Sequence, residues 1–268
     1  MKTVREYHIG LAQGELAPYV LLCADINRVA KVVSHLSKIE LERRNREFVT
    51  YTGFYQKVPV SVMGTGIGPD NTEIVLVELS KIVQGATLIR IGSCGAIQRN
   101  IKLGDLVIST ASVRLENTST YFVPEGYPAV ANQEVTLALI QACEELRLPY
   151  HAGLTASAPG FYGAQGRGTA TLPSRFRDLP RDLAKIKVLN FEMETSTLFT
   201  LSLLNGFRAG AVCAVYAQRV HDTFVTKAQK HKAETRCIEA GLRAIQILAD
   251  MDRIKRLHAK RFWYPSIG

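Results

Sequence analysis

The stretch VPVSVMGTGIG, Val58 to Gly68, runs directly into PDNTEIVLVELSKIV, Pro69 to Val83, and then into TLIRIGSCGA, Thr87 to Ala96. Val58–Met63 alternates apolar residues and predicts a strand. Gly64, Gly66 and Gly68 make a glycine-rich turn. Asn71–Val83 places Ile74, Val77, Leu79 and Ile82 at helical spacing, and Thr87–Ile91 is a short β-rich run. Strand, glycine turn, helix and strand in this order predict an α/β layer. The same alternation extends outward. Towards the N-terminus come a strand at Val20–Cys23 and a helix at Arg28–Leu36. Towards the C-terminus come a strand at Asp105–Thr110, a helix at Val135–Leu146 and a strand at His151–Ser157. A Gly- and Pro-rich loop, Pro159 to Pro173, follows. Then come a helix at Asn190–Leu204, a buried strand at Ala209–Tyr216 and a long helix at Lys227–Met251. Several strands are apolar throughout, which requires helices on both faces of a sheet.

Composition narrows the class. The chain has 268 residues, 47% apolar and 21% charged, as in ordinary globular enzymes. No apolar run reaches the ~18–20 residues needed to cross a bilayer. Met1 to Gly10 shows no secretory pattern, so a cytoplasmic location is expected. Five scattered cysteines, Cys23, Cys94, Cys143, Cys213 and Cys237, lack metal-ligand spacing and are expected as buried, reduced thiols. The net charge of +9 is concentrated in part in the last residues, where Arg253, Lys255, Arg256, Lys260 and Arg261 face Asp252. A solvated helix end is the plain reading of that segment. Nucleic-acid binding through it would need stacking aromatics, and only Phe262, Trp263 and Tyr264 are near. The division expected is one domain over residues 1–251 with a basic extension over 252–268.

Three segments carry chemistry. The Gly64–Gly68 turn fails the dinucleotide fingerprint, because Pro69 stands where the third glycine belongs. It is either a tight turn or a ligand-facing one. Arg90-Ile91-Gly92-Ser93-Cys94-Gly95 puts a guanidinium, a hydroxyl and glycine backbone at the end of a strand, a combination suited to an anion. A surface arginine beside a glycine turn is the alternative. In Asn190-Phe191-Glu192-Met193-Glu194, Asn190 reads as a helix N-cap. The two glutamates are expected to point in different directions, and an ionised one suits the vicinal hydroxyls of a sugar. Simple helix capping is the alternative there.

In order along the chain, these pieces resemble the nucleoside phosphorylase superfamily, and within it the uridine phosphorylases. The resemblance runs from His8 in Tyr7-His8-Ile9-Gly10 through Arg28 after Asp25, Arg46-Glu47-Phe48, Gly64–Gly68, Arg90–Gln98 and Thr110–Leu115. It continues with Thr155-Ala156-Ser157, Phe161-Tyr162, Gln165 with Arg167, Asn190–Glu194 and Arg219 after Gln218. It implies a three-layer α/β sandwich around a twisted mixed sheet, in a homo-oligomer, a hexamer built from dimers with shared active sites.

Residue by residue, the resemblance implies phosphate binding by Ala24, Arg28, Arg90 and Ser93, with Arg46 from a neighbouring subunit. It implies ribose binding by Met193, Glu194 and the neighbour's copy of His8. Phe161, Gln165, Arg167 and Arg219 would hold the base. Arg90, Arg167 and Glu194 would carry most of the catalysis. The implied reaction is reversible phosphorolysis of uridine in pyrimidine salvage, with phosphate as co-substrate and no organic cofactor. A monovalent cation between subunits is left open by Glu47 and Ile67. Neither a nucleic acid nor a membrane is an expected partner.

The chain departs from the family pattern at Ala24-Asp25-Ile26, usually Gly-Asp-Pro, at Gly68-Pro69-Asp70, usually Gly-Gly-Pro, and around Gly163, Ala164 and Gly166. A purine nucleoside phosphorylase, a nucleosidase and a catalytically weak nucleoside-binding protein are the competing readings. Arg219 and the Gln165/Arg167 pair favour a pyrimidine, and the three arginines favour phosphate over water.

Overall fold

A computed structural model describes residues 4–267. The opening stretch forms β4 (Val58–Gly64), α2 (Pro69–Ile82) and β5 (Thr87–Ala96), with Pro69 in the first turn of α2, where its missing N–H costs nothing. Between β4 and β5 lies β1 (Tyr19–Cys23), parallel to both and buried along its length, as its all-apolar composition requires. β1 leads into α1 (Ile26–Val33).

On one side, β4 pairs with β3 (Phe48–Tyr55) and β3 with β2 (Ser37–Asn45), both antiparallel. On the other side, five strands close on themselves. β5 pairs with β10 (Arg208–Gln218), β10 with β6 (Leu106–Arg114), β6 with β8 (Tyr150–Ser157) and β8 with β9 (Asn190–Glu192). β9 then pairs back onto β5. Short strands β7 (Ala129–Val130) and β11 (Thr223–Phe224) attach to β6 and β10.

Helices cover both faces, which makes the three layers. Val29 and Val32 of α1 join residues of α3 (Gln133–Glu145) and α6 (Lys227–Leu257) in one core. Val75, Leu76 and Leu79 of α2 join Leu198, Phe199 and Leu201 of α5 (Thr195–Leu204) in the other. A short α4 (Leu179–Lys185) closes the glycine-rich loop. All five cysteines are free and buried, and burial pushes the Cys23 thiol up to about 12. Among the described residues, no helix is long and apolar enough to cross a membrane.

Three local expectations change. The β2–β3 hairpin was not foreseen, because β2 (SKIELERRN) is exposed along most of its length and shows no buried face. The helix expected from Asn190 begins only at Thr195, since Asn190–Glu192 is held extended between β5 and β8. The last helix runs past Met251 to Leu257, so residue 252 lies inside α6. Asp252 and Lys255 pair with Arg208 and Glu134 at 2.6 Å each, and the Trp263 N–H donates to Glu134 at 2.9 Å. Arg253, Arg256, Lys260 and Arg261 are exposed.

Candidate active site

A cleft of about 890 Å³ opens at the carboxyl ends of β1, β4, β5 and β10. Parallel strands deliver their following loops to this edge, so short sequence segments far apart in the chain converge there. Ala24, Arg28, Arg90, Ser93, Phe161, Gln165, Arg167, Met193 and Glu194 all line it.

Ala24 and Asp25 follow β1. The Asp25 carboxylate accepts from the Asn27 N–H at 2.9 Å and so caps α1, which places Arg28 in its first turn. Arg28 is buried; its Nε donates to Glu234 at 3.1 Å and its Nη1 to the Ile91 carbonyl at 3.0 Å. Burial alone would lower its pKa. The neighbouring Cys23, Cys237, Tyr216 and Glu234 outweigh that and hold it above the ordinary arginine value.

Arg90 is also buried. It folds back over its own strand: a Cβ on Gly92 would lie 2.9 Å from the Arg90 Cζ and 2.9 Å from the Cys213 Sγ, so that position requires glycine. Its Nε donates to Glu192 at 3.0 Å and its Nη2 lies 2.5 Å from Glu194. Against burial, which would lower it, Glu194 and Glu192 raise its pKa. The two glutamates therefore converge on one arginine, contrary to the sequence expectation. In an extended segment, residues two apart point the same way, and Glu192 ends such a segment.

Their surroundings give them different tasks. Glu192 accepts from the N–H groups of Glu194 and Thr195 at 2.9 Å each and from the Ser157 hydroxyl, so its oxygens are used within the protein. Glu194 accepts from the Gly68 N–H at 2.7 Å. This bond explains the Gly64–Gly68 turn: Gly68, at φ +100°, aims its N–H at a carboxylate of the site. Burial and, less strongly, Glu192 push the Glu194 pKa up, while Arg90 opposes them.

A second basic group forms around the glycine-rich loop. Arg167 donates to the Gln165 side chain at 2.8 Å and lies 4.1 Å from the Phe161 ring centroid. Arg219 does not line the cleft; it donates to the Gln165 backbone carbonyl at 2.8 Å and so stands behind that residue. Burial, with the charge of Arg219 second, lowers Arg167 to about 10, which leaves it cationic at neutral pH.

His8 and Arg46 sit elsewhere. Both meet at Tyr7: Arg46 donates to the Tyr7 hydroxyl at 2.9 Å, and the His8 ring packs edge-on against Tyr7 at 4.8 Å. The His8 and Ile9 N–H groups and the His8 ring fix this arm on the Glu78 carboxylate, at 2.7 to 3.0 Å. Neither residue lines the cleft of its own chain. Glu47 is exposed, and the Ile67 carbonyl accepts from the Asn71 amide at 3.4 Å. A single chain thus gathers no oxygen cage from Glu47 and Ile67.

Sequence reasoning missed Tyr216, Lys230 and Glu234, which reach the site from β10 and α6. No motif marks them: Tyr216 is brought there by the irregular pairing of β10 with β5, and Lys230 and Glu234 by the packing of α6 across the sheet.

The Phosphorylase superfamily model matches residues 18–249. The chain belongs to the Phosphorylase superfamily. Within the superfamily, it is 46% identical to the uridine phosphorylase of Thermococcus kodakarensis, over 98% of this chain and 93% of that one. It is 33% identical to the uridine phosphorylase of Escherichia coli, over 90% of this chain and 97% of the other. A Trypanosoma brucei nucleoside phosphorylase with uridine phosphorylase activity superposes with a TM-score of 0.83, at 25% identity, covering 90% of this chain and 97% of that one.

Proposed function

We propose that this superfamily member catalyses the reversible phosphorolysis of uridine to uracil and ribose 1-phosphate. The observation that carries the reading is the sorting of the cleft. Arg28 and Arg90, both close to Cys23, form one cationic group with Ser93 and the Ala24 backbone beside it. Gln165 and Arg167 form another, with Phe161. Glu194 lines the cleft as well and touches Arg90 at 2.5 Å.

The chemistry follows from this arrangement. Phosphate on the first group attacks C1′ as the C1′–N1 bond breaks and its electron pair leaves on uracil. Positive charge grows on the sugar and negative charge on the base, as in glycoside cleavage generally. Arg167, cationic at neutral pH, and the Gln165 amide donate to the uracil oxygens where that charge appears. Glu194 accepts from the ribose hydroxyls and Met193 packs beside them. Arg219 positions Gln165. Catalysis comes from holding two reactants in line, with no covalent intermediate.

The active unit is a dimer within a hexamer. His8 and Arg46, held together at Tyr7 and off their own cleft, reach into the neighbour's cleft, to the 5′-hydroxyl and the phosphate respectively. The enzyme works in the cytoplasm and recycles pyrimidine bases. The deciding experiment incubates the protein with uridine, with and without phosphate, and follows uracil. Release should require phosphate. Equal rates without it would make the protein a nucleosidase, and release from inosine alone would make it a purine enzyme.

A further inference from the structure

β10 carries a bulge at the cleft. Val215 pairs with Cys94 and Ala217 with Gly95, so Tyr216 is an extra residue with no partner on β5. Bulges beside a site re-aim the side chain they carry. The Tyr216 ring lines the cleft, with the Lys230 ammonium 5.6 Å from its centroid. Its hydroxyl is buried beside the Arg28 guanidinium without reaching hydrogen-bond geometry, and it has no partner among the described residues. An unpartnered buried hydroxyl is costly, and among the described buried side-chain atoms without a partner this one alone belongs to a residue lining the cleft, where a ligand can complete it.

Arg28 lies beside this hydroxyl. Its Nε and Nη1 are committed to Glu234 and the Ile91 carbonyl, which leaves Nη2 as the nitrogen without a protein acceptor among the described residues. Two of its five N–H donors are thereby used, and Nη2 keeps both of its own for an anion. We propose that Tyr216 is a phosphate-binding residue, donating its hydroxyl to the same phosphate that Arg28 contacts through Nη2. Burial, opposed by Arg28, pushes the phenol up to about 12, so the donor proton is present throughout the working range. Lys230 holds the ring from outside.

This proposal rests on the phosphorolysis reading, and the test separates the two. Tyr216→Phe keeps the ring, its packing and the contact with Lys230, and removes only the donor. In steady-state kinetics, the phosphate KM should rise about tenfold and the uridine KM by less than twofold. Without nucleoside, the rise in Tm produced by inorganic phosphate should shrink in the variant. Without phosphate, its Tm should equal or exceed that of the parent, because an unpartnered buried hydroxyl has gone. A phosphate KM within 1.5-fold of the parent, a rise confined to the uridine KM, or a lower phosphate-free Tm overturns the proposal. If the parent releases no uracil with phosphate, the phosphorolysis reading fails, and the phosphate-induced Tm shift still decides whether Tyr216 holds the anion.

Discussion

Arg90 and Glu194 touch at 2.5 Å, so the residue assigned to phosphate and the residue assigned to ribose are partners of one another. Glu192 holds the other side of the same guanidinium. Two carboxyl groups thus share one guanidinium, and an incoming phosphate must compete with them for Arg90. Replacing Glu194 by glutamine should therefore have opposite effects on the two substrates. Phosphate alone should bind about threefold more tightly, whereas kcat/KM for uridine should fall on the order of 100-fold, because the charged acceptor for the ribose hydroxyls is lost. Thermal-shift titration with phosphate and steady-state kinetics read the two separately. Weaker phosphate binding in Glu194→Gln would mean that Glu194 is needed to hold Arg90 in its binding position.

The base end gives an independent prediction. On the proposed reading, Arg167, which lines the cleft and stays cationic at neutral pH, meets the charge on uracil. Truncating it to alanine should remove roughly 2–4 kcal/mol of transition-state stabilisation, a loss on the order of 30- to 1000-fold in kcat/KM. A loss below about threefold would place the base elsewhere.

Sharing of sites between subunits has its own test. Arg46→Ala and Glu194→Ala chains, each nearly inactive, are co-expressed so that mixed dimers form. One site of each mixed dimer then combines an intact cleft with an intact Arg46, and the other carries both defects. Random pairing makes about half of the dimers mixed, so about a quarter of all sites should be restored. If mass measurement finds mixed dimers and activity does not exceed that of the separate mutants, each chain completes its own site.

Far from the cleft, Asp252 bonds Tyr19 at 2.6 Å, Arg208 at 2.6 Å and Lys255 at 2.9 Å. Burial pushes its pKa up, but the bonds from Arg208, Tyr19 and Lys255 outweigh burial and hold it at about 2. A carboxyl depressed in the folded state stabilises above its unfolded pKa, near 4, and that contribution is lost as pH falls towards 2. The contribution at neutral pH is about 2 kcal/mol. Asp252→Asn should thus lower Tm at pH 7 by about 5 °C and flatten the acid limb between pH 4 and pH 2. Thermal melts across that range check it, and an unchanged acid limb would count against the assignment.

The strand–turn–helix order was legible wherever one face had to be buried. Val58 to Ala96 announces itself through apolar spacing and glycine punctuation, and Arg90 and Ser93 were legible as the polar end of an apolar strand. The β2 edge strand was not, because a strand with both faces wet has no apolar period. Glu192 was visible but misjudged: Asn190 looks like a cap, and only pairing with β5 and β8 pulls the segment out of helix. Tyr216 and Glu234 left no local trace, since their positions depend on a bulge and on a helix packing some distance along the chain.

The closure of β5, β10, β6, β8 and β9 has a consequence for how the molecule breathes. A ring has no terminal strand from which a ladder can unzip, so freeing any one of these strands means parting two ladders together. Three of the five also carry residues of the cleft: Arg90 on β5, Glu192 on β9 and Tyr216 on β10. The amide protons of this ring should be among the last to exchange with deuterium, and those of the open β2 edge among the first. Substrate entry and product escape must then be handled by the loops around the cleft, above a floor that stays shut.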